Sequence, residues 1–218
     1  MLYYVSRWLL KVLLKTFGRI SAEGSDKFPR TGGVILAPNH ISYLDPPAAG
    51  IYVPRQVHFM AKEELFKVPL LGAWMRRVGA FPVKRGAADR KAIKHALGLL
   101  EQGKVVCVFP EGTRSEDGKL QEPELGIGFI ALKSRCPVVP VLIRGTDKVL
   151  PRHAKRLHFH PIRIIYGEPL TFPDLYQSGD SRQGMLEVGQ RVITAIRDLA
   201  DRYENKASTS SLSDEQII

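Results

Sequence analysis

Gly33-Val34-Ile35-Leu36-Ala37-Pro38-Asn39-His40-Ile41-Ser42-Tyr43-Leu44-Asp45-Pro46-Pro47 decides the architecture. Residues 33–38 form an apolar run of strand length that Pro38 closes, and the chain then turns through polar residues into a helical stretch over 46–53. The same alternation recurs along the chain. Further apolar strand candidates span 57–61, 104–109, 138–143 and 161–166, with helical stretches over 63–77, roughly 87–102, 125–134 and about 182–203. In the last of these, Met185, Val188, Val192, Ile196 and Leu199 recur at helical spacing and read as core. Strands interleaved with helices predict a single α/β domain with a mixed, largely parallel sheet flanked by helices. In such sheets functional residues gather beyond the carboxyl ends of strands. The stretch from Asn39 to Asp45 occupies that position.

His40 and Asp45 admit two readings. A neutral imidazole at a strand end with a carboxylate one turn away is a base with its orienting partner. Residues five apart in a regular helix point about 140° away from each other, so the pair meets only if the chain turns between them. Pro38 before and Pro46-Pro47 after make that turn plausible. The other reading makes Asp45 the N-cap of a helix that begins at Pro46.

The 218 residues suggest one domain with enough length to bury a core. An apolar fraction of 44% with 25% charged residues excludes general disorder. Thirty-two Lys+Arg against 22 Asp+Glu leave a formal charge of +10, which implies an anionic partner: nucleic acid, anionic lipid or a phosphorylated substrate. Stacking aromatics beside a Lys/Arg signature for RNA are not evident, so no nucleic-acid partner is expected. Two cysteines make no disulfide framework and fit a reducing cytoplasmic setting. No Cys or His pair has metal-ligand spacing, and no metal is expected.

Residues 1–17 are helical in pattern, with a wide apolar face and a narrow stripe of Arg7, Lys11 and Lys15. Three charges argue against a transmembrane helix, which needs about twenty predominantly apolar residues. Neither the charge placement nor a cleavage site suggests a signal peptide. An amphipathic, membrane-associating helix over 1–18 fits: apolar face in the acyl boundary, Trp8 and the tyrosines near headgroup depth, basic stripe toward anionic lipid. The alternative is an amphipathic helix packed on its own domain. The globular domain then covers 19–204, and the Ser-rich, charged residues 205–218 read as a disordered tail.

Three more segments carry chemistry. Phe109-Pro110-Glu111-Gly112-Thr113-Arg114-Ser115 follows a strand and gathers a carboxylate, a glycine, a hydroxyl and a guanidinium. Arginine suits bidentate phosphate recognition, and glycine lets a backbone amide approach a ligand. Gly79-Ala80-Phe81-Pro82-Val83-Lys84-Arg85-Gly86 again sets cations beside glycine. In Pro137-Val138-Val139-Pro140-Val141-Leu142-Ile143-Arg144-Gly145, Pro140 implies an edge strand or a bulge. Ser42 has no nucleophile-elbow motif around it and Cys107 lies in an apolar strand, so both read as structural.

These four blocks, in this order and spacing over about residues 20 to 170, resemble the lysophosphatidate acyltransferase family of glycerolipid acyltransferases. The resemblance implies an O-acyltransferase of phospholipid biosynthesis that moves a fatty acyl group from acyl-CoA or acyl-acyl carrier protein, as co-substrate rather than cofactor, to the sn-2 hydroxyl of lysophosphatidate. It assigns His40 as general base and Asp45 as its partner. It also implies substrate binding by Lys62, Arg85, Glu111, Gly112, Thr113 and Arg114, with Glu111 orienting Arg114 or the acceptor's glycerol hydroxyl. The other reading of Lys62 is a solvated helix start. The expected partners are the lysophospholipid, the thioester, an anionic membrane surface and acyl carrier protein, and the expected place is monotopic or peripheral on the cytoplasmic face of the membrane. Glycerol-3-phosphate or another lysophospholipid is the alternative acceptor, and a non-enzymatic basic membrane binder is the alternative class. One departure is Glu124, where such enzymes commonly carry a lysine shortly before a glycine.

Overall fold

Strands that are apolar on both faces need cover on both faces, and the chain supplies two layers of helix. The computed structural model describes residues 1–84, 89–154, 156–178 and 181–214, with the backbone alone at 178 and over 207–214. The strands are β1 (Ser21–Glu23), β2 (Val34–Pro38), β3 (Val57–Lys62), β4 (Phe81–Val83), β5 (Val105–Cys107), β6 (Val138–Arg144) and β7 (Arg163–Tyr166). They form one sheet in the order β1-β7-β6-β2-β5-β3-β4. From β6 to β4 every pair is parallel, while β7 runs antiparallel to β6 and carries β1 beside it. The expected mixed, largely parallel sheet is the one observed.

The helices are α1 (Leu2–Gly18), α2 (Asp45–Ile51), α3 (Pro69–Arg77), α4 (Arg90–Glu101), α5 (Leu125–Ser134), α6 (Thr146–Val149) and α7 (Arg182–Asp214). Alternate strand residues point to opposite faces. Ile35, Ala37, Val106 and Leu142 therefore join one core with α4, α5 and α7, whereas Val34, Leu36, Val105 and Val141 join the other with α1 and α2. At Gly128 of α5 an added Cβ would lie 2.0 Å from the Met185 carbonyl oxygen, so only glycine lets α5 and α7 approach this closely.

Several boundaries differ from the sequence reading, each for a local reason. The stretch 63–77 splits into a 3-10 turn, Glu63–Lys67, and α3, because Pro69 holds Val68 in an extended conformation. Asp89 caps α4 by accepting from the amides of Lys91 and Ala92. The last helix runs to Asp214 rather than about 203, into the stretch read as a disordered tail; no Gly or Pro follows Gly189 to stop it. Strands β1 and β4 and helix α6, three or four residues each, are too short for periodicity to register.

Pro140 sits on a central strand, not an edge, and the bulge reading explains it. Val141 pairs with Tyr166, while Val138 bridges Leu170, so three steps on β6 face four on the partner. At that irregularity Pro140 needs only to accept, and its carbonyl receives the Gly167 amide at 2.8 Å.

Candidate active site

Strand β2 lies between β5 and β6, so the loops after these three strands meet at one end of the sheet. The chain leaves β2 under tight control. The Asn39 side chain continues the ladder, accepting from the Ile143 amide at 2.7 Å and donating to its carbonyl at 3.1 Å. The His40 amide donates to Glu111 at 2.8 Å, and the His40 carbonyl accepts from the Ser115 amide at 2.8 Å. The imidazole stacks on Phe109 with ring centroids 4.1 Å apart. The loop after β5 thus holds His40 by its backbone and by its ring.

Asp45 is fully buried. Its Oδ2 accepts from the amides of Ile41 and Ser42, both at 2.6 Å, and from His40 Nδ1 at 2.9 Å. Its Oδ1 accepts the Thr146 hydroxyl at 2.6 Å. An ionised carboxylate only accepts, so the proton between the two side chains is on His40 Nδ1. Nε2 then carries a lone pair, the form a general base needs. The helix-cap reading of Asp45 does not hold: its carboxylate turns back to residues 41 and 42, and Pro46 and Pro47 have no amide hydrogen to offer.

The structure re-sorts the other predicted residues. Glu111 is buried, and its second oxygen accepts the Gln121 amide at 3.0 Å. It braces the His40 backbone instead of orienting Arg114, and burial pushes its carboxyl group's pKa up. Gly112 has a φ of +65°, and an added Cβ would lie 2.6 Å from Glu124 Cγ. The neighbour that this glycine admits is therefore Glu124, the position of the family departure. Thr113 is exposed, with its hydroxyl 3.5 Å from Gln121 Oε1. Arg114 lies over the Tyr43 ring at 3.9 Å, and among the described residues no carboxylate pairs with it. Lys62 is exposed at the end of β3, beside the β5 loop by register, and immediately precedes the 3-10 turn. Arg85 lies outside the described residues.

Ser42 is buried and donates to the Leu150 carbonyl at 3.2 Å, a structural bond. Burial raises the Cys107 thiol well above its ordinary pKa, which leaves it inert. Thr146 and Tyr43 escaped the sequence reading. The signal for Thr146 is its place just past β6, which matters only once β6 is known to adjoin β2.

Past Tyr43, Pro46 and Pro47 an apolar cavity of about 320 Å³ opens between α1, α2 and the segment from β3 to α3. Tyr43 stands at the junction, under Arg114 on one side and lining the cavity on the other. Helix α1 forms one wall. Its Tyr3, Leu10 and Leu14 turn inward, while Val5, Trp8, Leu9 and Val12 stand exposed on the opposite arc. The basic stripe does not face outward as a unit. Arg7 donates to the Val53 carbonyl at 2.7 Å, just past the carboxyl end of α2 where free carbonyls collect, and Lys11 lies over Tyr52. Among the described residues no helix is long and apolar enough to cross a membrane.

The acyltransferase family model matches residues 19–144. The chain is similar to the 1-acyl-sn-glycerol-3-phosphate acyltransferase of Bacillus subtilis (strain 168), 30% identical over 89% of this chain and 95% of that one. It is also similar to the Streptococcus pneumoniae protein of the same name, 28% identical over 91% of this chain and 73% of that one. Against the chloroplastic LPAT1 of Arabidopsis thaliana, identity is 28% and the chain spans 48% of that protein. The crystal structure of the 1-acyl-sn-glycerophosphate acyltransferase from Thermotoga maritima superposes with a TM-score of 0.69 at 27% identity, over 90% of this chain and 80% of that one.

Proposed function

The chain belongs to the acyltransferase family, and from that premise we propose that it transfers a fatty acyl group from an acyl thioester to the sn-2 hydroxyl of lysophosphatidate, forming phosphatidate. One observation carries the reading. His40 Nδ1 is tied to the buried Asp45, which leaves Nε2 as a base, and the same turn carries Tyr43, which lines an apolar cavity and lies under Arg114, a cation that no carboxylate among the described residues pairs with.

The chemistry follows from these groups. His40 Nε2 takes the proton of the acceptor hydroxyl as its oxygen attacks the thioester carbonyl. Asp45 stabilises the imidazolium that forms. The tetrahedral intermediate then expels the thiolate, which recovers the proton from His40, so neither a covalent enzyme intermediate nor a metal is required. Arg114, held flat by Tyr43, binds the acceptor phosphate, with Lys62 and Arg85 as further cations. The apolar cavity takes an acyl chain; its volume is in the range of about 300–1,000 Å³ usual for small-ligand sites. The donor is acyl-CoA or acyl-acyl carrier protein, both anionic and suited to a chain of charge +10. Helix α1 lies on the membrane through its exposed apolar arc, which makes the attachment peripheral or monotopic, on the cytoplasmic face.

Purified protein given each donor with lysophosphatidate, glycerol-3-phosphate or monoacylglycerol should release thiol fastest with lysophosphatidate, with phosphatidate as the product. Arg114→Ala should raise KM for lysophosphatidate about tenfold while that for the donor barely moves. Equal effects on both substrates, or full activity with the phosphate-free acceptor, would reject phosphate binding at Arg114.

A further inference from the structure

The segment after β3, Leu65-Phe66-Lys67-Val68-Pro69-Leu70-Leu71-Gly72-Ala73-Trp74, is apolar in the wrong direction for a helix in water. Only Phe66 and Met75 turn inward, into a small core with Ala80 that is separate from the two cores flanking the sheet. Leu70 is 88% exposed and Val68 50%, with Leu65, Leu71 and Trp74 each more than a third exposed. Isolated exposed apolar residues need no explanation, but a contiguous set marks an interface.

Two observations say what covers it. First, the segment and α1 form a single surface. Trp74 Nε1 donates to Ser6 Oγ at 3.0 Å, and the apolar cavity is walled by Tyr3 and Leu10 on one side and Leu65, Trp74 and Met75 on the other. Second, the apolar face is bordered by exposed cations, Lys67, Arg76 and Arg77, with Arg76 lying over the Phe66 ring. The acids Glu63 and Glu64 lie at its other end, next to β3. Apolar side chains rimmed by Lys and Arg match the acyl region and anionic headgroups of a leaflet.

We propose that the segment 65–74 is a second lipid-inserting element, and that the cavity between it and α1 opens into the leaflet of an anionic membrane. The inference rests on the reading that α1 lies on the membrane, and extends it. An acyl chain then enters the site sideways from the bilayer and never crosses water. Tyr43, which lines the same cavity three residues after His40, marks where the chain emerges toward the base.

The chain holds two tryptophans, Trp8 on α1 and Trp74, which permits a reporter on each element. Trp74→Phe leaves Trp8 alone to report on α1. Trp8→Phe with Trp74→Phe and Leu70→Trp reports on the segment; position 70 is exposed enough to accept the larger ring. Both proteins are mixed with vesicles of phosphatidylglycerol and phosphatidylcholine carrying brominated acyl chains. The expected result is a blue shift and strong quenching at both reporters. Quenching at Trp8 alone would overturn this proposal and leave the α1 reading standing, and quenching at neither would overturn both. A reporter at 70 that is blue-shifted without vesicles, in proportion to protein concentration, would assign the face to a second copy of the chain and overturn the proposal. As a second measure, Val68→Glu with Leu70→Glu should weaken vesicle partition about tenfold yet leave acylation of a short-chain, water-soluble acceptor unchanged. Unchanged partition would count against the proposal.

Discussion

Around Asp45 four donors converge on two carboxylate oxygens, whereas along α1 and α3 large apolar side chains stand in the open. The polar turn is assembled from three strand ends, and among the described residues no buried side-chain polar atom lacks a partner. The apolar face comes from two neighbouring elements and satisfies nothing internally. A buried polar network costs free energy wherever one partner is missing, so each of its members is held by the fold. An exposed apolar face costs free energy in water and recovers it only against a partner. The first region is therefore complete in the folded chain, while the second is completed by what it binds.

The sharpest way to break this contrast is His40→Ala. Loss of the base should lower kcat by about 10²–10⁴ without changing vesicle partition. A substitution such as Trp8→Glu should do the reverse, weakening partition while sparing turnover of a soluble acceptor. Steady-state kinetics and vesicle sedimentation on the same preparations check both. Substantial activity in His40→Ala would remove the general-base mechanism, and joint loss of both properties in either variant would erase the distinction between the regions.

A smaller effect is expected from Thr146→Val, which keeps the shape and deletes the hydroxyl that donates to Asp45 Oδ1. A hydrogen bond to a charged, buried group contributes about 1.5–3 kcal/mol, shared here between stability and the orientation of His40. Thermal unfolding should move to lower temperature and kcat should fall about tenfold, with KM values little changed. Thr146→Ser, which keeps the hydroxyl, should recover most of the activity. Failure of serine to do so would mean that packing, not the hydrogen bond, is what position 146 supplies.

How much of this was legible in the sequence depended on what fixes each residue. His40, Asp45 and the Glu111–Arg114 turn stood out because residues of fixed type and order resemble a known family. The alternation of strand and helix, and with it the fold, followed from periods that only buried layers impose. Thr146 was invisible because its partner is 101 positions away, and nothing local marks a threonine after a glycine. Glu111 was seen, but its bonds to the His40 and Gln121 backbone amides were not, since their positions depend on sheet order. In α1 the charges recur every four residues, yet a helical period does not tell which arc meets the protein. Arg7 and Lys11 therefore face α2 and its carboxyl end, and the apolar arc faces out. Leu70 and Val68 carried no motif at all; only their lack of a partner in the fold singles them out.

The least conspicuous difference between the regions is their response to pH. Burial raises the Glu111 carboxyl pKa in the folded state, and the amides of His40 and Gln121 offset this only in part. Between the ordinary carboxylate value and the raised one, the folded chain holds more protons at Glu111 than the unfolded chain does. Stability from this group therefore falls as pH rises through that window and is constant above it. The half-buried Asp89 and the exposed Asp117 and Asp174 have lowered values, and what they contribute is lost only as pH falls below that range. Glu111→Gln removes the titration and also sets an amide hydrogen against a backbone donor, so the variant should be less stable than the parent throughout. Its deficit should shrink as pH rises from about 4.5, a typical carboxyl value, through the raised pKa, and then level off. Urea unfolding of the two proteins across that range measures the difference directly. A deficit that stayed constant with pH would mean that Glu111 titrates alike in both states, and that the brace under His40 bears no cost of burial. Leu70→Gln on the apolar face adds no titrating group, so its difference from the parent should be flat and within about 0.5 kcal/mol.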